Sequence, residues 1–155
     1  MKDRDILITS LADKLSIEDN LITYAVSLDK RDWKELESLF DKNASAEYGS
    51  QELGLHYKCT SRQEIIKMCE DNLNGCGPTQ HLFGNFRINI NGNIASSTCS
   101  AHIGHVGKEP NQKKYWEIWA EYHDCWTKKD GKWRINARRM IVTQEFGDSE
   151  KILGP

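Results

Sequence analysis

The feature that most constrains this chain is a change of period near its middle. From the N-terminus to about Cys69, apolar residues return at helical spacing; from Gln80 onward they fall in extended runs separated by turn chemistry. Helices first and a strand meander afterwards can share one core only if the helices cover one face of a sheet. The pattern therefore predicts an α+β domain.

In the first half, Ile17, Leu21, Ile22, Ala25 and Leu28 fall on one face of a helix beginning near Ser16, with residues 1–15 a short helical extension ahead of it. Asp32, followed by Glu35 and then Leu36, Leu39 and Phe40, predicts a second helix with a side-chain N-cap. Ser61 and Glu64 repeat that capping pattern before Ile65, Ile66, Met68 and Cys69. Ser45 to Tyr48 reads as a short strand between them. In the second half, strands are predicted at Gln80–Ile90, Ile94–Val106, Tyr115–Thr127 and Lys132–Phe146. The breaks at Asn91-Gly92-Asn93 and Lys129-Asp130-Gly131 favour antiparallel neighbours. Residues 147–155 read as a tail. A curved sheet capped by helices naturally encloses a pocket.

Composition narrows the class. With 155 residues and 38% hydrophobic content, the chain can bury one sizeable core and is read as one domain. A formal charge of -2 gives no electrostatic reason to expect nucleic acid. Five cysteines with no CxxC pair make no disulfide framework and suit a reducing cytosol. The charged start MKDRDILITS and the short apolar runs predict neither a secretory segment nor a membrane span, so a cytoplasmic location is expected.

Three stretches carry a family resemblance. LITYAVSLDKRDWKELESLF, TQHLFGNFRINI and YHDCWTKKDGKWRINARRM resemble, in order, the signature regions of the SnoaL-like group within the nuclear transport factor 2-like superfamily. The resemblance runs from about Ser16 to Phe146. It implies a cone: a curved, mainly antiparallel sheet wrapped by three or more N-terminal helices around a deep pocket. The residues are most similar to a dehydratase branch that includes scytalone dehydratase, bile-acid 7α-dehydratase and hexachlorocyclohexane dehydrochlorinase. That branch pairs an aspartate at the end of the first long helix with a histidine at the start of a central strand. The matching positions are Asp29 and His81.

Alone, Asp29 before Lys30-Arg31-Asp32 reads as a helix-ending turn residue, and His81 as a satisfied strand histidine. Together, at both positions of the branch, they read as a catalytic dyad. Imidazole titrates near neutrality and can take a proton from carbon and return it to a leaving group; a carboxylate on one ring nitrogen fixes the tautomer and stabilises the imidazolium.

The resemblance also implies substrate-binding roles for Tyr24, Tyr48, His105, Tyr122 and Arg138. A tyrosine offers a hydroxyl donor and an apolar ring wall. Arg138 would stabilise an enolate, a carboxylate or a leaving anion, while its neighbour Arg139 points the other way. His105 matches a second active-site histidine if one gap is allowed at the Asn91 turn; under another gap His102 takes its place. Residues three apart on a strand face opposite sides, so the two cannot both face the pocket and make a poor metal pair. Alternation also puts Ala120 and Asp124 on the Tyr122 face, Asp124 being either a second acid or the partner of a basic strand. Ala120 and Tyr122 stand where scytalone dehydratase has a serine and an asparagine, which argues against that substrate. Trp33, Phe83, Phe86, Trp116, Trp119 and Trp126 offer core, and walls for a flat or cyclic ligand.

The sequence thus predicts a cofactor-independent lyase or isomerase, dehydratase-like, without a metal, acting on a small hydrophobic cyclic substrate. A polyketide-type cyclase and a non-catalytic small-molecule-binding domain are the alternatives, with a dioxygenase small subunit further away. Relatives imply a homo-oligomer, trimer or dimer, with the Trp116 and Trp119 strand as a candidate surface. No nucleic acid or membrane partner is expected.

Overall fold

The computed structural model describes residues 2–50 and 55–154. Helix α1 (Lys2–Lys30) is one unbroken element, so the expected extension and the first long helix are continuous. Ile17, Leu21, Tyr24, Ala25 and Leu28 are buried along it, whereas Ile22, expected on the same face, is exposed.

The end of α1 is set by an unusual residue. The Arg31 N–H donates to the Leu28 carbonyl and the Asp32 N–H to the Ser27 carbonyl, which is the double closure of a Schellman motif. Its left-handed position, favoured by glycine, is held here by Arg31 at φ 58°. Asp32 then caps α2 (Trp33–Ser38) by accepting from the Glu35 N–H. Ser61 caps α3 (Arg62–Leu73) by accepting from the Glu64 N–H, and the Glu64 carboxylate accepts from the Thr60 N–H.

The strands are β1 (Phe40–Ser50), β2 (Leu55–Cys59), β3 (Cys76–Asn91), β4 (Ile94–Gly107), β5 (Tyr115–Lys129) and β6 (Lys132–Gly147). Their spatial order is β2-β1-β6-β5-β4-β3. All neighbours are antiparallel except β1 and β6, which run parallel, so the sheet is mixed and open, with β2 and β3 at its edges. The expected cone of curved, mainly antiparallel sheet is present, and the sheet does not close on itself. The β5–β6 turn places Asp130 at φ 52° and Gly131 at φ 73°, the paired positive angles that suit a two-residue hairpin. Register shifts at Gly84/Arg87 in β3 and Trp119/Ala120 in β5 mark where the sheet bends.

Side chains alternate between a buried concave face and an exposed convex one along β4 and β5. The helices lie over the concave face, α1 against β3 and α3 against β1. After β6 the chain makes a 3-10 turn at Ser149–Lys151, and Ile152 returns to the core. Among the described residues, no helix is long and apolar enough to cross a membrane.

Candidate active site

Asp29 sits in the last turn of α1, where the negative end of the helix dipole disfavours a carboxylate. Its partners on β3 offset that cost. Oδ1 lies 2.6 Å from His81 Nδ1 and accepts from the Thr79 hydroxyl at 2.9 Å, while Oδ2 accepts from the His81 backbone N–H at 3.0 Å. Burial pushes the Asp29 carboxyl up, but the hydrogen bonds from the His81 ring, the His81 backbone and Thr79 outweigh it and hold the carboxyl below its ordinary value. An ionised Asp29 makes Nδ1 the protonated nitrogen of a neutral imidazole. Nε2 is then the basic nitrogen left for the cavity that His81 lines.

Arg31 braces this arrangement from behind. Its guanidinium donates to the Leu28 carbonyl at 2.6 Å, to the Thr79 hydroxyl at 2.9 Å and to the Gly77 carbonyl at 3.1 Å. Helix end and strand start are thereby stitched together around the carboxylate. The αL backbone of Arg31 directs a side chain where glycine would offer none.

His105 is the second histidine of the site. It is buried, its ring centroid is 5.8 Å from that of His81, and its Nδ1 donates to the Trp116 carbonyl at 3.1 Å. His102 is on the convex face, exposed and paired with Glu117 at 2.9 Å. Strand parity thus resolves the two candidates in favour of His105. Burial, reinforced by the neighbouring His81, lowers the His105 pKa to about 3, so it stays neutral.

The cavity has a volume of ≈ 80 Å³ and opens to solvent. Besides the two histidines it is lined by Tyr24, Tyr48, Tyr57 and Tyr122, with apolar walls that include Trp116 and Met140. Tyr24 donates to the Tyr48 hydroxyl at 3.3 Å. Burial holds the Tyr24, Tyr48 and Tyr122 phenols well above their ordinary pKa, which keeps them neutral donors. Cys69 also lines the cavity, but burial pushes its thiol up to about 12, away from nucleophilic use.

Arg138 does not line the cavity. It lies behind the tyrosines, its guanidinium 4.0 Å from the Tyr24 ring centroid and 4.8 Å from that of Tyr122. Nε and Nη2 donate to the Asp124 carboxylate at 2.7 and 2.8 Å, both side chains being fully buried. Burial alone would lower the Arg138 pKa; Asp124 overrides it and keeps the guanidinium charged. Direct contact between Arg138 and a cavity ligand, expected from the sequence, is therefore replaced by support of Tyr24 and Tyr122. Asp124 takes the second of its two readings, as the partner of a basic strand.

Trp116 is buried and Trp119 half-exposed, so the pair cannot form one docking surface, again by strand parity. Tyr57, Asn72, Met140 and Leu153 are among the lining residues that the sequence reading did not name. Tyr57 and Asn72, joined by a 2.9 Å hydrogen bond, sit on a short strand and a helix face, and Met140 is one apolar residue among many in β6. Leu153 belongs to the tail, where no periodicity marks it as a wall.

A profile of the SnoaL-like domain family matches residues 9–139. The chain belongs to the SnoaL-like domain family. It is 28% identical over 140 residues to the uncharacterised protein Rv2910c of Mycobacterium tuberculosis (strain ATCC 25618 / H37Rv), covering 88% of this chain and 90% of that one. A provisionally named scytalone dehydratase from Novosphingobium aromaticivorans superimposes with a TM-score of 0.79 at 21% identity, covering 100% and 97% of the two chains. A hexachlorocyclohexane dehydrochlorinase, LinA type 2, gives a TM-score of 0.77 at 18% identity, covering 96% and 97%. These two structures share the fold of this chain, the one that the three signature stretches implied.

Proposed function

We propose that the chain is a cofactor-independent lyase or isomerase in which His81 Nε2 removes a proton from carbon next to an activating group. The observation that carries this reading is the 2.6 Å contact between Asp29 Oδ1 and His81 Nδ1 at the wall of an apolar cavity. A structural histidine needs only one satisfied nitrogen. Here three donors converge on one carboxylate to fix the imidazole in the tautomer that a base requires. The names of the two structural neighbours, a dehydratase and a dehydrochlorinase, support elimination as the reaction class.

In this reading Asp29 stays ionised and stabilises the imidazolium as it forms. The neutral Tyr48 hydroxyl, which accepts from Tyr24 and keeps its own hydrogen, donates to the oxygen of the substrate on which negative charge develops. The electron pair released from the C–H bond forms the new C=C bond as the leaving group departs, and the proton on His81 passes to that group. The chemistry as written uses no cofactor. A neutral, aromatic-walled cavity fits an uncharged small cyclic molecule better than a polyanion.

The test is deuterium wash-in. Small cyclic ketones with acidic α-hydrogens are incubated with the protein in D₂O, since carbon-proton exchange asks less of the site than complete elimination. Exchange abolished by His81→Gln supports the base. Ligand binding without exchange, equal in wild type and His81→Gln, would make the domain a binding module.

A further inference from the structure

Thr79 has a single hydroxyl hydrogen, and its two neighbours decide where that hydrogen points. Thr79 and His81 are two apart on β3, so both side chains leave the strand on the face that meets the end of α1. A guanidinium can only donate and an ionised carboxylate can only accept. The Thr79 oxygen therefore accepts from Arg31 Nη1 at 2.9 Å, and its own hydrogen goes to Asp29 Oδ1, also at 2.9 Å. Arg31 is itself held at two further points. Nη1 also donates to the Leu28 carbonyl, and Nη2 donates to the Gly77 carbonyl, which the register shift between Cys76 and Thr79 leaves outside the β3–β4 pairing. Those two bonds alone would tie the helix end to the strand start. The hydroxyl adds something that bracing does not need: Oδ1 receives a second hydrogen besides that of His81 Nδ1.

We propose that Arg31 and Thr79 are positioning residues that temper the Asp29 and His81 pair, the hydroxyl, aimed by the guanidinium, drawing off part of the Oδ1 charge and loosening its hold on the imidazolium. The proposal rests on the reading of that pair as a base dyad. In that reading His81 must hand to the leaving group the proton it takes from carbon. A carboxylate with no other donor on Oδ1 would grip the imidazolium more tightly and slow that second transfer. Each donor on an ionised carboxylate stabilises its charge and leaves it a weaker acceptor for the next. Thr79 is thus a competitor of His81 for one oxygen, and Arg31 keeps the competitor in place.

The low-field ¹H resonance of the His81 Nδ1–H reads the strength of its bond to Oδ1 without any turnover. Thr79→Val keeps the branched shape and removes the hydroxyl, and the resonance is expected to move downfield. Thr79→Ser, which restores a hydroxyl, should return it towards the wild-type position. Arg31→Gly, which suits the left-handed backbone, should shift it in the same direction as Thr79→Val. The double variant should shift it no further than Thr79→Val alone, because both changes act through one hydrogen. In D₂O wash-in, the acid limb of the pH–rate profile should move upward in both single variants, by roughly half a pH unit. An unmoved resonance in Thr79→Val, or additive shifts in the double variant, overturns the proposal. Wild type without exchange, but with the resonance shifts as expected, supports the tempering of the pair and overturns its reading as a base.

Discussion

The Arg31 guanidinium donates to the Thr79 hydroxyl, and that hydroxyl donates onward to the Asp29 carboxylate, each bond 2.9 Å long. A residue in a left-handed backbone position thereby reaches the dyad through one intermediate. Substitution at Arg31 separates its two roles. Arg31→Gly removes the guanidinium but relieves the positive φ; Arg31→Ala removes the guanidinium and keeps the strain. The alanine variant is expected to be the less stable by about 1 kcal/mol in urea titration. Equal stabilities would mean that the αL backbone carries no cost here.

Replacing Asp29 by Asn keeps the shape of the carboxylate but removes its charge and offers a donor where Nδ1–H now finds an acceptor. The His81 ring is expected to lose its single tautomer, read from two-bond ¹⁵N–¹H spectra of the imidazole. Proton exchange or elimination by the variant should fall by roughly 10²- to 10⁴-fold. An unchanged tautomer with unchanged turnover would remove Asp29 from the mechanism.

His105 links folding to acid. Its folded pKa, about 3, lies below the ordinary histidine value of 6.5. Between those values the unfolded chain binds the extra proton, so its contribution to stability is full above the unfolded value and is lost as pH falls towards the folded one. The slope from this group approaches about 1.4 kcal/mol per pH unit inside that window. Asp29, whose folded pKa is lowered, adds loss in the same direction at the acidic end, below its own unfolded value. Urea titrations at several pH values should show His105→Gln with a shallower dependence than wild type between pH 6 and 4, approximately. Parallel curves would mean that His105 is not held neutral.

The buried Arg138–Asp124 pair calls for a double-mutant cycle. Asp124→Leu leaves a buried guanidinium without its carboxylate and is expected to cost about 3–5 kcal/mol. Arg138→Met together with Asp124→Leu should recover most of that loss. Loss of Tyr24 positioning in a stable double variant would appear as weaker ligand binding by calorimetry, which separates the support of the cavity wall from simple folding.

The tail provides a prediction of another kind. Gly75 packs so closely on Gly154 that a β-carbon at residue 75 would collide with the Gly154 carbonyl oxygen. The Gly154 N–H donates to the Asn72 carbonyl, and Cys76 Sγ to the Ile152 carbonyl. Gly75→Ala should displace the tail, seen as faster amide exchange at Ile152 to Gly154, with the dyad unaffected.

What the sequence made legible, and what it did not, follows from the range over which each signal acts. Local signals placed the caps at Asp32 and Ser61 and the four long strands, because capping and hairpin turns depend on residues close in the chain. Parity correctly set His105 against His102 and Asp124 on the face of Tyr122, while the basic residue that Asp124 meets, Arg138, follows only from the strand register. Parity gives the face of a side chain but not its depth along the cone, which is why Arg138 was placed at the wall and stands one layer behind it. Ile22 was assigned to the core because an apolar residue at helical spacing looks alike whether its partner is the same chain or another surface. Arg31 carried no mark in a charged turn, since only its φ distinguishes it from its neighbours. The strand β2 is five residues long, too short for alternation to stand out.

Leu153 forms part of the cavity wall although it lies some seventy residues from His81 in the chain. In the proposed function, reactivity and selectivity are consequently written in separate places. Proton transfer depends on a helix end and a strand start, whereas the girth of the molecule admitted depends partly on a terminal segment held by a few backbone bonds. Exchanging that segment between related chains would retune which molecules enter while leaving the base untouched, a division of labour that lets one chemical apparatus serve many guests.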